Sequence, residues 1–182
     1  SDGNTENPRT IIVTENASYV ANFVDILTTQ TFTITATSSN EAYGTVTGGG
    51  TYAGWTIIEL VATANDGYRF VAWDDDNTEN PRQITVLEDA TYTAIFEAIP
   101  TYDITVNITG NGTVTYNGEA VEDAETITVR EGENVALSMV ANANNIIANV
   151  IVDGTNNVTE SLVDGVYTFE NVTANHNIGI TF

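Results

Sequence analysis

The sequence predicts an all-β protein made of small antiparallel β domains in tandem, each sandwich-like. Three observations carry that reading. Threonine occurs 30 times in 182 residues, and together with Val, Ile, Tyr and Phe it suits half-buried, pleated surfaces. Apolar residues recur at every second position in run after run. Long stretches of the chain repeat one another, which points to serial domains.

The first 24 residues read as the C-terminal remnant of a repeat. Ser1–Phe23 matches Asp74–Phe96 without a gap at 14 of 23 positions, including Asn-Pro-Arg at 7–9 and 80–82. Ile11, Val13, Tyr19, Ala21 and Phe23 fall on Ile84, Val86, Tyr92, Ala94 and Phe96. This match predicts two antiparallel strands that bury Tyr19 and Phe23 against the following repeat or against another molecule. Ser1 itself stands in a polar stretch, as expected of an excised piece.

Residues 31–98 form a complete unit. Alternation is clear in Phe32-Ile34-Ala36, Ile58-Leu60-Ala62-Ala64, Tyr68-Phe70, Ile84-Val86 and Tyr92-Ala94-Phe96. Turn signals separate the runs at Gly48-Gly49-Gly50 and Asn65-Asp66-Gly67. Phe70, Trp73, Tyr92 and Phe96 are its expected aromatic core.

Residues 101–182 form a second, longer unit. Ile104-Val106-Ile108 matches the first alternating run of the previous unit. Val135, Leu137, Met139 and Ala141 match Ile58, Leu60, Ala62 and Ala64. Residues 117–124 read as an insertion, a longer hairpin or loop. Ala141–Val150 is the strongest helix competitor, but its four Asn residues and β-branched end weaken it. Ile99-Pro100 joins the units; so short a proline joint predicts a semi-rigid connection, and hence an elongated rod.

Composition excludes several functions. With 4 Lys+Arg against 25 Asp+Glu, the net charge is -21, which repels nucleic acid and anionic membrane. There is no cysteine and a single histidine, so thiolate and His-rich metal sites drop out. No run of about 18 apolar residues offers a membrane span. Ser138 and Ser161 lack a Gly-x-Ser-x-Gly elbow, and the expectation is a chain without catalysis.

Gly67-Tyr68-Arg69-Phe70-Val71-Ala72-Trp73, Asn80-Pro81-Arg82 and Ala90-Thr91-Tyr92-Thr93-Ala94-Ile95-Phe96 together resemble the divergent internalin-B-type repeat. The last unit resembles a sister form, through Val152-Asp153-Gly154, Tyr167-Thr168-Phe169, Asn171–His176 and its closing strand. The resemblance implies a bacterial cell-surface or secreted protein. It also supplies an alternative fold, β-grasp-like, since internalin repeats proper resemble that fold. It implies the roles of spacer, stalk or adhesion module and no catalytic residues.

Candidate site residues are few. Trp55 is out of phase with Ile58 and Leu60, in a slot where glycine is usual; it is a candidate partner contact, as is Tyr116 beside the insertion. Asp74, Asp76 and Glu79 are the candidate ligands of a weak Ca²⁺ site, although the EF-hand spacing is incomplete. No other cofactor is expected. Arg82 and Arg9 recur after Asn-Pro and are expected to pair locally with carboxylates. His176 falls in a turn before the closing strand, a structural position.

The leading expectation is a non-catalytic stalk region, a spacer with weak adhesion. The alternatives are a module binding glycan or an extracellular host protein, and an accessory region of a larger secreted hydrolase.

Overall fold

The computed structural model describes residues 5–23 and 30–182. The alternating runs of the first repeat become seven strands: β1 (Thr31–Ser38), β2 (Gly44–Thr47), β3 (Gly50–Ala53), β4 (Ile57–Ala64), β5 (Tyr68–Trp73), β6 (Arg82–Thr85) and β7 (Ala90–Ala98). The second repeat gives β8 (Thr101–Thr109), β9 (Gly112–Tyr116), β10 (Glu119–Val121), β11 (Glu125–Arg130) and β12 (Val135–Ala141). It continues with β13 (Asn149–Val152), β14 (Asn156–Asn157), a 3-10 turn at Thr159–Ser161, β15 (Val166–Phe169) and β16 (His176–Thr181). There is no α-helix among the described residues. The Ala141–Val150 stretch is a turn leading into β13.

Four sheets result among the described residues, and each takes its strands from one repeat. The first repeat forms β3-β1-β7-β5 and β2-β4-β6; the second forms β11-β8-β16-β13-β14 and β10-β9-β12-β15. Set side by side, the two orders agree strand for strand. β10 and β14 are the additions. β10 closes a hairpin on β9 through Asn117 and Gly118, both at positive φ, the conformation a two-residue hairpin turn demands. The 117–124 insertion is therefore a hairpin.

One pair in each larger sheet is parallel: β1 with β7, from Ile34↔Ala90 to Ser38↔Ala94, and β8 with β16, from His176↔Ile104 to Thr181↔Thr109. Each joins the first and last strands of its repeat.

Period-two alternation puts one face of each strand inside. In the first repeat Ile34, Ile58, Leu60, Ala62, Trp73, Ile84, Val86, Ala94 and Phe96 are buried. Phe70 and Tyr92, expected in this core, are half-buried. Phe70 meets Phe96 edge to face with ring centres 6.0 Å apart. The second core gathers Ile104, Val106, Val114, Val135, Leu137, Met139, Val150, Phe169, Ile178 and Ile180, among others.

The Asn-Pro turn has a local purpose. The Asn80 amide donates to the Ala62 carbonyl at 2.7 Å and accepts from the Ala62 N–H at 2.9 Å, standing in for one more strand residue beside β4. In the second repeat the carbonyl of Gly165 accepts from Met139, the residue matching Ala62, at 2.8 Å.

The described residues divide into two units: 5–23, 30–41, 45–63 and 72–95 in one, and 42–44, 64–71 and 96–182 in the other. In the second, Arg130 makes a two-pronged pair with Asp66, and Arg69 reaches both Glu97 and Glu131.

The N-terminal segment departs from expectation. Residues 5–23 contain no strand, and all are exposed. Tyr19 is 54% exposed and Phe23 91%. The residues they match sit on β7, which lies between β1 and β5. Nothing supplies those neighbouring strands to residues 5–23, so the same side chains stay in water. Residues 1–4 and 24–29 lie outside the described residues.

Candidate functional site

The turn from β3 to β4 presents Trp55. Its backbone is left-handed, with φ 67°, a conformation glycine adopts freely and a bulky L-residue adopts at a cost. The turn is held from both sides. Trp55 N–H donates to the Val86 carbonyl at 2.7 Å, and Val86 N–H donates to the Thr56 carbonyl at 2.9 Å. The indole is half exposed, as its phase predicts.

Two further apolar residues stand beside it that sequence reasoning missed. Ile57 pairs with Thr85 across β4 and β6, in a ladder that buries Ile58 and Ile84. Ile57 is therefore on the outward face. Leu87, two residues beyond Thr85 and next to buried Val86, is exposed as well. Trp55, Ile57 and Leu87 thus form an apolar corner at one end of the β2-β4-β6 sheet. The available signal was parity: residues 55 and 57 share it, opposite to the core positions 58 and 60.

Tyr116 stands differently. It pairs with Leu137 on β12 and with Glu119 on β10, and is half-buried against the second core. It packs the flank of the domain and offers less free surface than its place beside an insertion suggested.

Asp74, Asp76 and Glu79 lie in the loop after β5, all exposed. That loop is closed by its own backbone. Trp73 N–H donates to the Asn77 carbonyl, Asp76 N–H to the Trp73 carbonyl, and the buried indole of Trp73 to the Glu79 carbonyl. No cluster of three or more His, Cys, Asp or Glu side chains able to hold a metal occurs among the described residues, so the expected Ca²⁺ ligands are not brought together. A depression of about 450 Å³ beside the Asn-Pro turn is lined by Glu59, Glu79, Asn80, Pro81 and Gln83. It holds two carboxylates, below the ligand count a hard cation demands.

The acid in this loop with a built environment is Asp75. Arg82 grips it with both terminal nitrogens, at 2.7 and 2.6 Å. Those hydrogen bonds, followed by smaller contributions from the Asn77 N–H and the Arg82 charge, hold its carboxyl below the usual Asp range. The same guanidinium lies 4.7 Å from the Tyr92 ring centre and 5.9 Å from that of Trp73. Arg9 lies 5.4 Å from the ring of Tyr19, the residue matching Tyr92.

His176, at the start of β16, places Nδ1 2.8 Å from Asp153. Asp153 also accepts from Asn177 N–H at 3.0 Å. That backbone bond, more than the histidine, draws its carboxyl below the ordinary range. The imidazole rests 5.1 Å from the Phe169 ring, so its contacts tie β13 to β16.

No curated protein matches the chain. Residues 32–100, the first repeat and the joint after it, match the family model of the divergent InlB B-repeat domain.

Proposed function

We propose that this chain is a non-catalytic repeat segment of a bacterial cell-surface or secreted protein, holding another domain away from its point of attachment and adding weak adhesive surface. The observation that supports this most directly is the parallel pairing of first and last strands in each repeat. Parallel neighbours run the same way, so the chain enters at one end of the sheet and leaves at the other. A fold of that kind can be added in series without doubling back.

Two further features support the reading. The surface is rich in Thr, Asn and acidic residues, and the net charge of -21 favours solubility and discourages nonspecific association. The lone histidine is engaged by Asp153, an arrangement that orders a strand end.

The test is a displayed chimera. A fluorescent domain is carried on the cell surface by this chain, or by a Gly/Ser linker of equal residue count. Energy transfer to a membrane dye should be lower with the repeat chain, since a flexible linker samples short distances. Equal transfer would overturn the spacer reading.

A further inference from the structure

The two repeats provide an internal control on the apolar corner. In the first, Trp55 N–H donates to Val86 and Val86 N–H to Thr56; in the second, Gly132 N–H donates to Val172 at 2.8 Å and Val172 N–H to Glu133 at 3.0 Å. The frames are the same, so Trp55 corresponds to Gly132, Ile57 to Asn134 and Leu87 to Thr173. Gly132 also has positive φ. The fold thus builds this corner from Gly, Asn and Thr, and the N-terminal segment carries Thr14 where Leu87 stands. Trp55, Ile57 and Leu87 are 50%, 68% and 43% exposed. They contribute little to the core, and the tryptophan adds backbone strain that glycine avoids. Strained, exposed and apolar together is the signature of a surface kept for contact.

The charge around the corner selects the partner. Glu59 follows Ile57 on the same face, and Glu88 follows Leu87; both are exposed. Among the described residues neither side-chain carboxylate has a hydrogen bond or ion pair, unlike those of Asp66, Asp75, Glu97 and Glu131. An exposed, electron-rich indole on a sheet end that also carries two exposed carboxylates suits a cation. We propose that Trp55, Ile57 and Leu87, with Glu59 and Glu88, form a docking surface for a basic polypeptide segment. An apolar side chain of the partner covers the corner, and flanking Lys or Arg groups meet the carboxylates and the indole. This goes beyond the spacer reading, which needs no such surface.

The test uses the full 182-residue chain and a labelled eight-residue peptide of alternating Lys and Leu. A Glu/Leu peptide and a neutral glucose hexasaccharide serve as competing probes. Trp55→Gly, and separately the pair Ile57→Asn with Leu87→Thr, install the second repeat's residues, so folding is retained in at least one of them. Either change should weaken peptide binding at least tenfold, while Trp55→Gly keeps or raises the melting temperature. Glu59→Gln with Glu88→Gln should weaken binding several-fold more than Glu119→Gln with Glu160→Gln, which removes equal charge elsewhere. The proposal is overturned if the corner variants bind as tightly as the parent, or if both glutamine pairs act alike. It is also overturned if the hexasaccharide or the acidic peptide is the better ligand, or if the corner drives dimers in sedimentation.

Discussion

Arg82 holds the carboxylate of Asp75 with two hydrogen bonds, of 2.7 and 2.6 Å, across the Asn-Pro turn. The arginine side chain is mostly covered, between Trp73 and Tyr92, while half of the aspartate faces water. The pair therefore anchors a loop to the core through its cationic member. Replacing Arg82 with Ala should cost about 2 kcal/mol, roughly half from the exposed pair and half from the ring contact. Replacement with Lys recovers the charge but not the fork. Urea unfolding of the three proteins checks the order.

The same pair has a pH signature. The folded pKa of Asp75 is depressed, so its contribution is complete above the ordinary Asp range and is lost as pH falls through the lower, folded value. Acid unfolding of Arg82→Ala should therefore begin at higher pH than that of the parent chain. Coincident acid limbs would show that the pair contributes nothing.

Two glycines with positive φ should answer differently to alanine. A Cβ on Gly48 would lie 2.1 Å from the Glu59 carbonyl oxygen, whereas one on Gly154 meets nothing within 4 Å. Gly154→Ala should cost about 1 kcal/mol, the backbone penalty alone. Gly48→Ala forces strand separation and should cost about 3 kcal/mol or more. Thermal melts of the two variants give the comparison.

Phe96 is 5% exposed and Tyr92 half-buried. Truncating Phe96 to Ala should cost about 3–5 kcal/mol, and truncating Tyr92 distinctly less. A loss under about 1 kcal/mol at Phe96 would make β7 peripheral, contrary to its central place in the sheet.

Self-repulsion among 25 acidic residues set against 4 basic ones should make stability rise with salt. CaCl₂ should raise the melting temperature no more than NaCl of equal ionic strength. A specific excess for Ca²⁺ would direct attention to the loop holding Asp74, Asp76 and Glu79.

What the sequence made legible was whatever depends on period and repetition. Ile58, Leu60 and Ala62 alternate, and all three are buried. Their match to Val135, Leu137 and Met139 foretold a shared strand order. What it hid depends on chain return. Asp75 and Arg82 meet only because β6 comes back beside the loop, and parity does not say which of three successive aspartates faces it. Tyr116 looked free beside an insertion, yet β12 draws it against the core. Residues 5–23 carry the β6 and β7 pattern without the strands that would receive it, and pattern alone does not bury a side chain. Trp55 was singled out by phase, but its neighbours on the patch required the β4–β6 register.

The adjacency of terminal strands has a mechanical meaning. A load applied to the two ends of a repeat pulls β1 and β7, or β8 and β16, along their own length in opposite directions. Their ladder bonds lie across that direction and are strained together, in shear, where a hairpin pulled at its open end would unzip one bond at a time. Resistance to force is governed by the unfolding rate rather than by equilibrium stability. A domain of modest thermal stability can thus be a stiff link under tension. The parallel ladder, six residue pairs long between β8 and β16, is where such a link would carry the strain.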